Sequence, residues 1–222
     1  MTRILLILSI GLLLTGCNKP KVLIIGDSIS IGYTKYVKED IQKKARVYHN
    51  SGNAQHTGLG VVKLDEWIED KDWDIIQLNW GLWDIYQRPS YSEVDGTMEK
   101  NNRKITCTLE EYATNLDSIV RALQAKTNAK LIFVTTTYVP KNAGGRFEND
   151  ALRYNEKAKE IMNKHSVLIN DIYEKSIPIH KKYRKGVTDV HYSEAGYEAL
   201  SKLVSQFLST ELDKMEVEKA TL

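Results

Sequence analysis

Short apolar runs rich in β-branched residues recur along the chain, separated by longer stretches in which apolar residues return every three or four positions. The runs predict strands at Lys21 to Ile25, Ala45 to His49, Asp74 to Leu78, Lys130 to Thr136 and Ser166 to Asn170. Between them, Thr108 followed by Glu111 reads as a capping box. The helix it opens would bury Leu109, Tyr112, Ala113, Leu116, Ile119, Val120 and Leu123. Asn149 or Asp150 would cap a second helix, with Leu152, Asn155, Ala158, Ile161 and Met162 at helical spacing. A last helix starts near Ser193 and buries Tyr197, Leu200, Leu203, Val204 and Phe207. Strands alternating with helices predict an α/β fold built on a five-stranded parallel sheet.

Two stretches break this rhythm. Gln87 to Thr106 is polar, aperiodic and longer than an ordinary connection, so it is expected to be a functional or mobile loop. Residues 211–222 mix charges and are expected to fray. With no internal repeat and no linker, residues 21–210 form one domain.

The beginning of the chain has another character. Arg3, an apolar run from Ile4 to Leu14 and small residues before Cys17 make an export signal over residues 1–16. The run is too short for a bilayer span, which takes about 20 apolar residues. Leu14-Thr15-Gly16-Cys17 resembles the bacterial lipobox, so Cys17 is expected to be lipidated, with residues 17–20 as a tether. The alternative is a plain secretory signal with an incidental cysteine. Acyl chains on Cys17 would anchor an extracytoplasmic bacterial lipoprotein to a membrane, inner or outer.

Composition removes several functions. The 31 Lys and Arg against 29 Asp and Glu leave a net charge of +2, and no basic block carries interleaved aromatics, so no nucleic-acid partner is expected. Two cysteines make neither a disulfide framework nor a four-cysteine zinc site, and the histidines at 49, 56, 165, 180 and 191 are scattered without a metal-binding spacing. No metal and no cofactor is expected.

Chemistry gathers after the strands, where parallel sheets collect ligands. Gly26-Asp27-Ser28 follows the first strand and places a hydroxyl at a strand-to-helix turn, beside helical N–H groups that favour negative charge. This suits a nucleophile, though a serine turn capping the helix would look the same. Gly52, in Asn50-Ser51-Gly52-Asn53, could bring a backbone N–H to an oxyanion or simply form a tight turn. Asn79 follows the third strand and offers a side-chain amide. Asp189 and His191 offer a carboxylate and a base before the last helix, a pair that alone is more often a solvated loop. The blocks come in strand order.

In that order they resemble the SGNH hydrolases of the GDSL esterase superfamily: Gly26 to Ser28, Gly52, and Asp189 with His191, over Lys21 to about Leu208. The resemblance implies a flavodoxin-like three-layer α/β/α fold, Ser28 as nucleophile, His191 as base, and an oxyanion hole from the Ser28 and Gly52 N–H groups with an asparagine amide. There are two departures. The family's Gly-x-Asn-Asp is Gly81-Leu82-Trp83-Asp84 here, so Asn79 is assigned the amide; the family's Asp-x-x-His is Thr188-Asp189-Val190-His191, so Asp189 stands one step late. Either the loop turns Asp189 to the imidazole or another acceptor orients His191.

The implied enzyme is a serine esterase that cleaves short-chain esters, O-acetyl groups on carbohydrate foremost, through an acyl-enzyme. Asp27, Trp80 and Trp83 are candidate substrate contacts, and Trp80, Trp83, Tyr86 and Tyr91 could form an aromatic wall against a sugar or fill the core. A lysophospholipase or thioesterase is the competing enzyme. A glycan- or partner-binding lipoprotein that kept the fold without catalysis is the third reading.

Overall fold

A computed structural model describes residues 19–69, 71–91 and 98–221. The leader and Cys17 lie outside the described residues. The chain runs β1 (Lys21–Gly26), α1 (Ser28–Ile41), β2 (Arg46–His49), α2 (Thr57–Ile68), β3 (Ile75–Asn79), β4 (Gln87–Tyr91), β5 (Met98–Ile105), α3 (Leu109–Lys126), β6 (Lys130–Val134), α4 (Glu148–Lys164), β7 (Leu168–Asn170), α5 (Tyr173–Tyr183) and α6 (Glu194–Ala220).

Five parallel strands pair in the order β2-β1-β3-β6-β7. Strands covered on both faces need apolar side chains on both, and Val22, Leu23, Ile24 and Ile25 of β1 are all buried. The crossovers send α1 to one face, where it packs on α6 and α6 on α5, while α2, α3 and α4 pack together on the other, as the usual right-handed connection requires. The result is the expected three-layer α/β arrangement. Because the chain leaves β1 and β3 toward opposite faces, a crevice opens between their carboxyl ends. Gly26 sits opposite Asn79 in register there, so the turns after β1 and β3 lie side by side.

Local signals explain several boundaries. Thr108 and Glu111 form both halves of the capping box on α3, and Tyr112, Leu116, Ile119, Val120 and Leu123 are its buried face. Ser193 stands at the N-cap of α6. Three expectations are corrected. Helix α4 begins at Glu148 with Phe147 at its N-cap, so Asn149 and Asp150 lie in its first turn. The stretch from Gln87 to Thr106 holds the antiparallel pair β4–β5, tied down by Gln87 N–H donating to Gly145 O at 2.7 Å and Thr106 N–H to Tyr86 O at 2.9 Å. Residues 211–220, expected to fray, continue α6: Leu212 is buried, and Glu211 is buried beside Lys130 and Lys214. Met215 carries the apolar row of Leu208 and Leu212 one turn further against the core.

Candidate active site

Ser28 is the first residue of α1, half-buried at the end of β1. Asp27 stops the strand and caps the helix, its Oδ1 accepting from Ile29 N–H at 2.9 Å. The Ser28 N–H finds no acceptor among the described residues, as expected of the first turn of a helix. Asn50, at the end of β2, fixes this corner: its Oδ1 accepts from Gly26 N–H at 3.0 Å and its amide holds the carbonyls of Ser51 and Gly52. Ala54 N–H closes the corner onto Gly26 O at 3.0 Å.

His191 arrives from the loop between α5 and α6. That loop is clamped by Lys185 N–H to His191 O at 3.0 Å, Ser193 N–H to Tyr183 O at 2.8 Å, and the Arg184–Tyr192 bridge. Its Nε2 lies 2.9 Å from Ser28 Oγ. On the far side of the ring, Nδ1 is 2.7 Å from Asp189 Oδ1, and the same oxygen accepts from His191 N–H at 2.9 Å. The irregular Asp-x-His spacing is therefore an Asx turn, in which the carboxylate folds back on the backbone two residues later and meets the ring as well. Burial pushes the Asp189 carboxyl up, but the N–H and imidazole of His191 outweigh it and hold the group below its ordinary value. With a carboxylate accepting from Nδ1–H, the neutral ring leaves Nε2 bare toward the serine proton. His180, buried on α5, braces the arrangement by donating from Nε2 to Asp189 O at 2.7 Å.

The structure does not bring the other predicted site residues into this group. Asn79 is buried, and its amide is spent on the carbonyls of Val134 at 2.9 Å and Thr135 at 3.5 Å, stitching β3 to β6; it is not a free oxyanion donor. Gly52 lies in the exposed turn after β2 with φ +70°, lining a surface depression with Ile31, Lys35 and Lys38 that Ser28 does not line. In the same turn Gln55 takes φ +47°, and its N–H donates to Asn53 Oδ1 at 2.8 Å. Trp80 is wholly buried, with Nε1–H on Ala54 O at 3.2 Å and its ring against Trp67, so it belongs to the core and touches no substrate. Asp27 is 1% exposed and is a cap rather than a substrate contact. Burial pushes its pKa up to about 6. Trp83 is half-buried and edge-on to Tyr86 at 6.4 Å; the Tyr91 side chain lies outside the described residues.

Sequence reasoning missed Arg146. It comes from the connection between β6 and α4, and its Nε–H donates to Leu82 O at 2.7 Å in the turn after β3. The guanidinium lies over the Tyr86 ring, 4.8 Å from the centroid, within electrostatic range of Asp27 and Asp189. Gly81 makes that turn feasible, since its φ of +141° and the Thr136 hydroxyl, 2.1 Å from where a Cβ would stand, leave no room for a side chain.

Asp84 closes the block after β3. Its Oδ1 accepts from Thr57 N–H at 2.9 Å and Thr57 Oγ1–H at 2.6 Å, anchoring the start of α2. His56 caps the same helix, its Nδ1 accepting from Leu59 N–H at 3.3 Å. Burial raises the Asp84 pKa from 3.8 to about 6. The folded state thus binds this proton more tightly than the unfolded chain, and losing it between those values costs stability. Asp84→Asn keeps the Oδ1 acceptor without the charge. The stability of that variant relative to the native protein should rise by up to about 3 kcal/mol as pH climbs through this window, then level off. Urea melts at several pH values would show it; a difference independent of pH would contradict it.

A family model for GDSL-like lipase/acylhydrolase proteins matches residues 24–199. The chain belongs to that family. Among solved structures, this acylhydrolase resembles a lipase/acylhydrolase from Enterococcus faecalis, with a TM-score of 0.68 at 19% identity over 86% of this chain and 96% of that one. It also resembles an acetylxylan esterase from Geobacillus stearothermophilus, with a TM-score of 0.65 at 19% identity over 85% and 94%. A putative acylhydrolase from Bacteroides fragilis matches at 0.63, 17% identical over 87% and 91%. Identities this low speak for the fold, and the family match for the chemistry: this is an ester-hydrolysing enzyme. The comparison with curated proteins returns no match.

Proposed function

We propose that this acylhydrolase is a serine esterase that removes short acyl groups, O-acetyl foremost, from carbohydrate. The observation that carries the mechanism is the unbroken line Ser28 Oγ, His191 Nε2, His191 Nδ1, Asp189 Oδ1, with spacings of 2.9 and 2.7 Å at its two polar contacts. A serine hydroxyl alone is a weak nucleophile near neutrality, so it needs the base. His191 takes the Ser28 proton as Oγ attacks the ester carbonyl, and Asp189 steadies the imidazolium that forms. Negative charge on the carbonyl oxygen falls beside the Ser28 N–H and the N-terminus of α1. His191 returns its proton to the departing sugar oxygen, leaving an acyl-Ser28 ester. Water, deprotonated by the same ring, then releases the carboxylic acid.

The preference for a short acyl group on a large alcohol rests on how open the site is. The side chains of His191 and Asp189 are 38% and 37% exposed, which suits a chain of sugars lying across the rim better than a long acyl tail that must leave water. Tyr86 lies half-buried under Arg146 with Trp83 edge-on to it, and such aromatic faces can meet a sugar ring. The acetylxylan esterase among the structural relatives agrees with this substrate class. The export signal expected over residues 1–16, ahead of Cys17, supports a place of action outside the cytoplasm, where such polymers are met.

The purified enzyme should hydrolyse p-nitrophenyl acetate at least about tenfold faster than the palmitate ester, and should release acetate from acetylated polysaccharide. Faster turnover of palmitate would favour the lysophospholipase or thioesterase. Absence of turnover together with absence of labelling by a fluorophosphonate would leave only a binding protein.

A further inference from the structure

Arg146 is a half-buried cation with no ion pair among the described residues. Its Nε is committed to Leu82 O and its plane to Tyr86, so the guanidinium is held in one orientation while both Nη groups lack an acceptor among those residues. Such a group is costly to desolvate and gains most from an anion placed on its open side. Burial already depresses its pKa, and the nearby carboxyls of Asp27 and Asp189 only partly offset that.

That open side is part of a cavity of about 540 Å³ whose other charged walls are Arg103, from β5, and Lys141, from the connection before α4. Asn142 and Asn149 add side-chain amides, and Phe147, 65% exposed, adds a flat apolar face. No Asp or Glu is among its described lining residues. Three cations with no carboxylate among the described lining residues stand out in a chain whose net charge is only +2. The cavity's position gives it a purpose. Leu82, which holds Arg146, lies three residues after Asn79, and Asn79 is in register with Gly26 just before the nucleophile. A sugar chain whose acyl group reaches Ser28 can therefore place a neighbouring residue beside Arg146.

We infer that this cavity is a subsite for an anionic sugar, bearing a carboxylate or a sulfate, next to the sugar whose ester is cleaved. The inference rests on the esterase reading of Ser28 and His191. Arg146 is the fixed fork that receives the anion, Arg103 and Lys141 are exposed arms that close on it, and Phe147 offers a face to the ring. Two exposed arms and one pre-set guanidinium make a site whose strength depends on ionic strength.

The test compares kcat/KM of the full enzyme on p-nitrophenyl acetate and on three O-acetylated oligosaccharides of equal length: one neutral, one containing a uronate, one containing a sulfated sugar. An anionic oligosaccharide should be preferred over the neutral one by about tenfold or more at low salt, and the preference should shrink as salt rises from about 0.05 to 0.5 M. A preference confined to the uronate or to the sulfated substrate assigns the anion. The variant R103Q/K141Q should bring the anionic-to-neutral ratio toward one, and R146Q should abolish it. An enzyme that hydrolyses p-nitrophenyl acetate and the neutral oligosaccharide without preferring either anionic one overturns the subsite alone, as does a preference that R103Q/K141Q leaves intact. An enzyme inert toward all four removes the esterase reading and the subsite with it.

Discussion

Ser28→Ala is expected to lower kcat/KM for p-nitrophenyl acetate by roughly a thousand- to a million-fold, and His191→Ala by a similar factor. Each variant breaks the same step. Without Oγ there is no acyl-enzyme to form, and without the imidazole the hydroxyl keeps its proton. Because the two groups act as a unit, the double variant should be little slower than either single one; multiplied losses would show that they work separately. The rate that survives would come from the N–H groups at the start of α1, which neither substitution touches. Stability should change little, since both side chains are part-exposed and Ser28 Oγ has only His191 as a partner among the described residues. A fluorophosphonate should label the native enzyme and fail on Ser28→Ala. Turnover within tenfold of native in Ser28→Ala would remove the serine mechanism outright.

What could be read in the chain beforehand follows a physical line between local and non-local causes. The central strands announce themselves because a strand buried on both faces must be largely apolar, as Val22 to Ile25 are, whereas the edge strand β2 keeps Arg46 exposed. The capping box at Thr108 is equally local. Strands β4 and β5 carry no such signal: they pair with each other rather than with the five-stranded sheet, and Pro89 interrupts their pattern. Helix α5 hides for a different reason. Its buried positions are Tyr173, Ser176 and His180, with Pro178 inside the helix, so there is no apolar stripe to count.

The same line runs through the site. Ser28 and His191 are marked by short motifs, and their meeting follows from strand order. The role of Asn79 depends on which carbonyls β6 presents to it, and that is settled 55 residues away at Val134. Trp80 points into the core because Gly60 on α2 leaves space there; a Cβ at Gly60 would stand 2.8 Å from the indole. One tryptophan is therefore a core residue, and Trp83, three positions on, is only half-buried. Nothing in the neighbourhood of Arg146 in the sequence ties it to Leu82, 64 positions earlier, so its place beside the site could only be found in three dimensions.

Asp189→Asn is expected to cost roughly a thousand- to ten-thousand-fold in kcat with KM little changed. The spacing of the Asp-x-His block leaves open whether Asp189 or another acceptor orients His191. The geometry selects the carboxylate, because Oδ1 reaches Nδ1 at 2.7 Å and the backbone N–H of the same histidine at 2.9 Å. An asparagine can keep the turn, since its carbonyl oxygen accepts the backbone N–H as before. It cannot supply the negative charge that steadies an imidazolium. If its amide turns toward the ring, it demands an acceptor at Nδ1 and drives the proton to Nε2, where it blocks removal of the serine proton. Asp189→Ala removes the turn as well, and so should lose at least as much activity while also loosening the loop that His180 braces through Asp189 O. Circular dichroism and a urea melt separate the two effects: the asparagine variant should unfold close to the native midpoint, and the alanine variant earlier. If Asp189→Asn instead keeps activity within tenfold of native, the imidazole is oriented without the carboxylate, and Ser28 with His191 is a complete dyad.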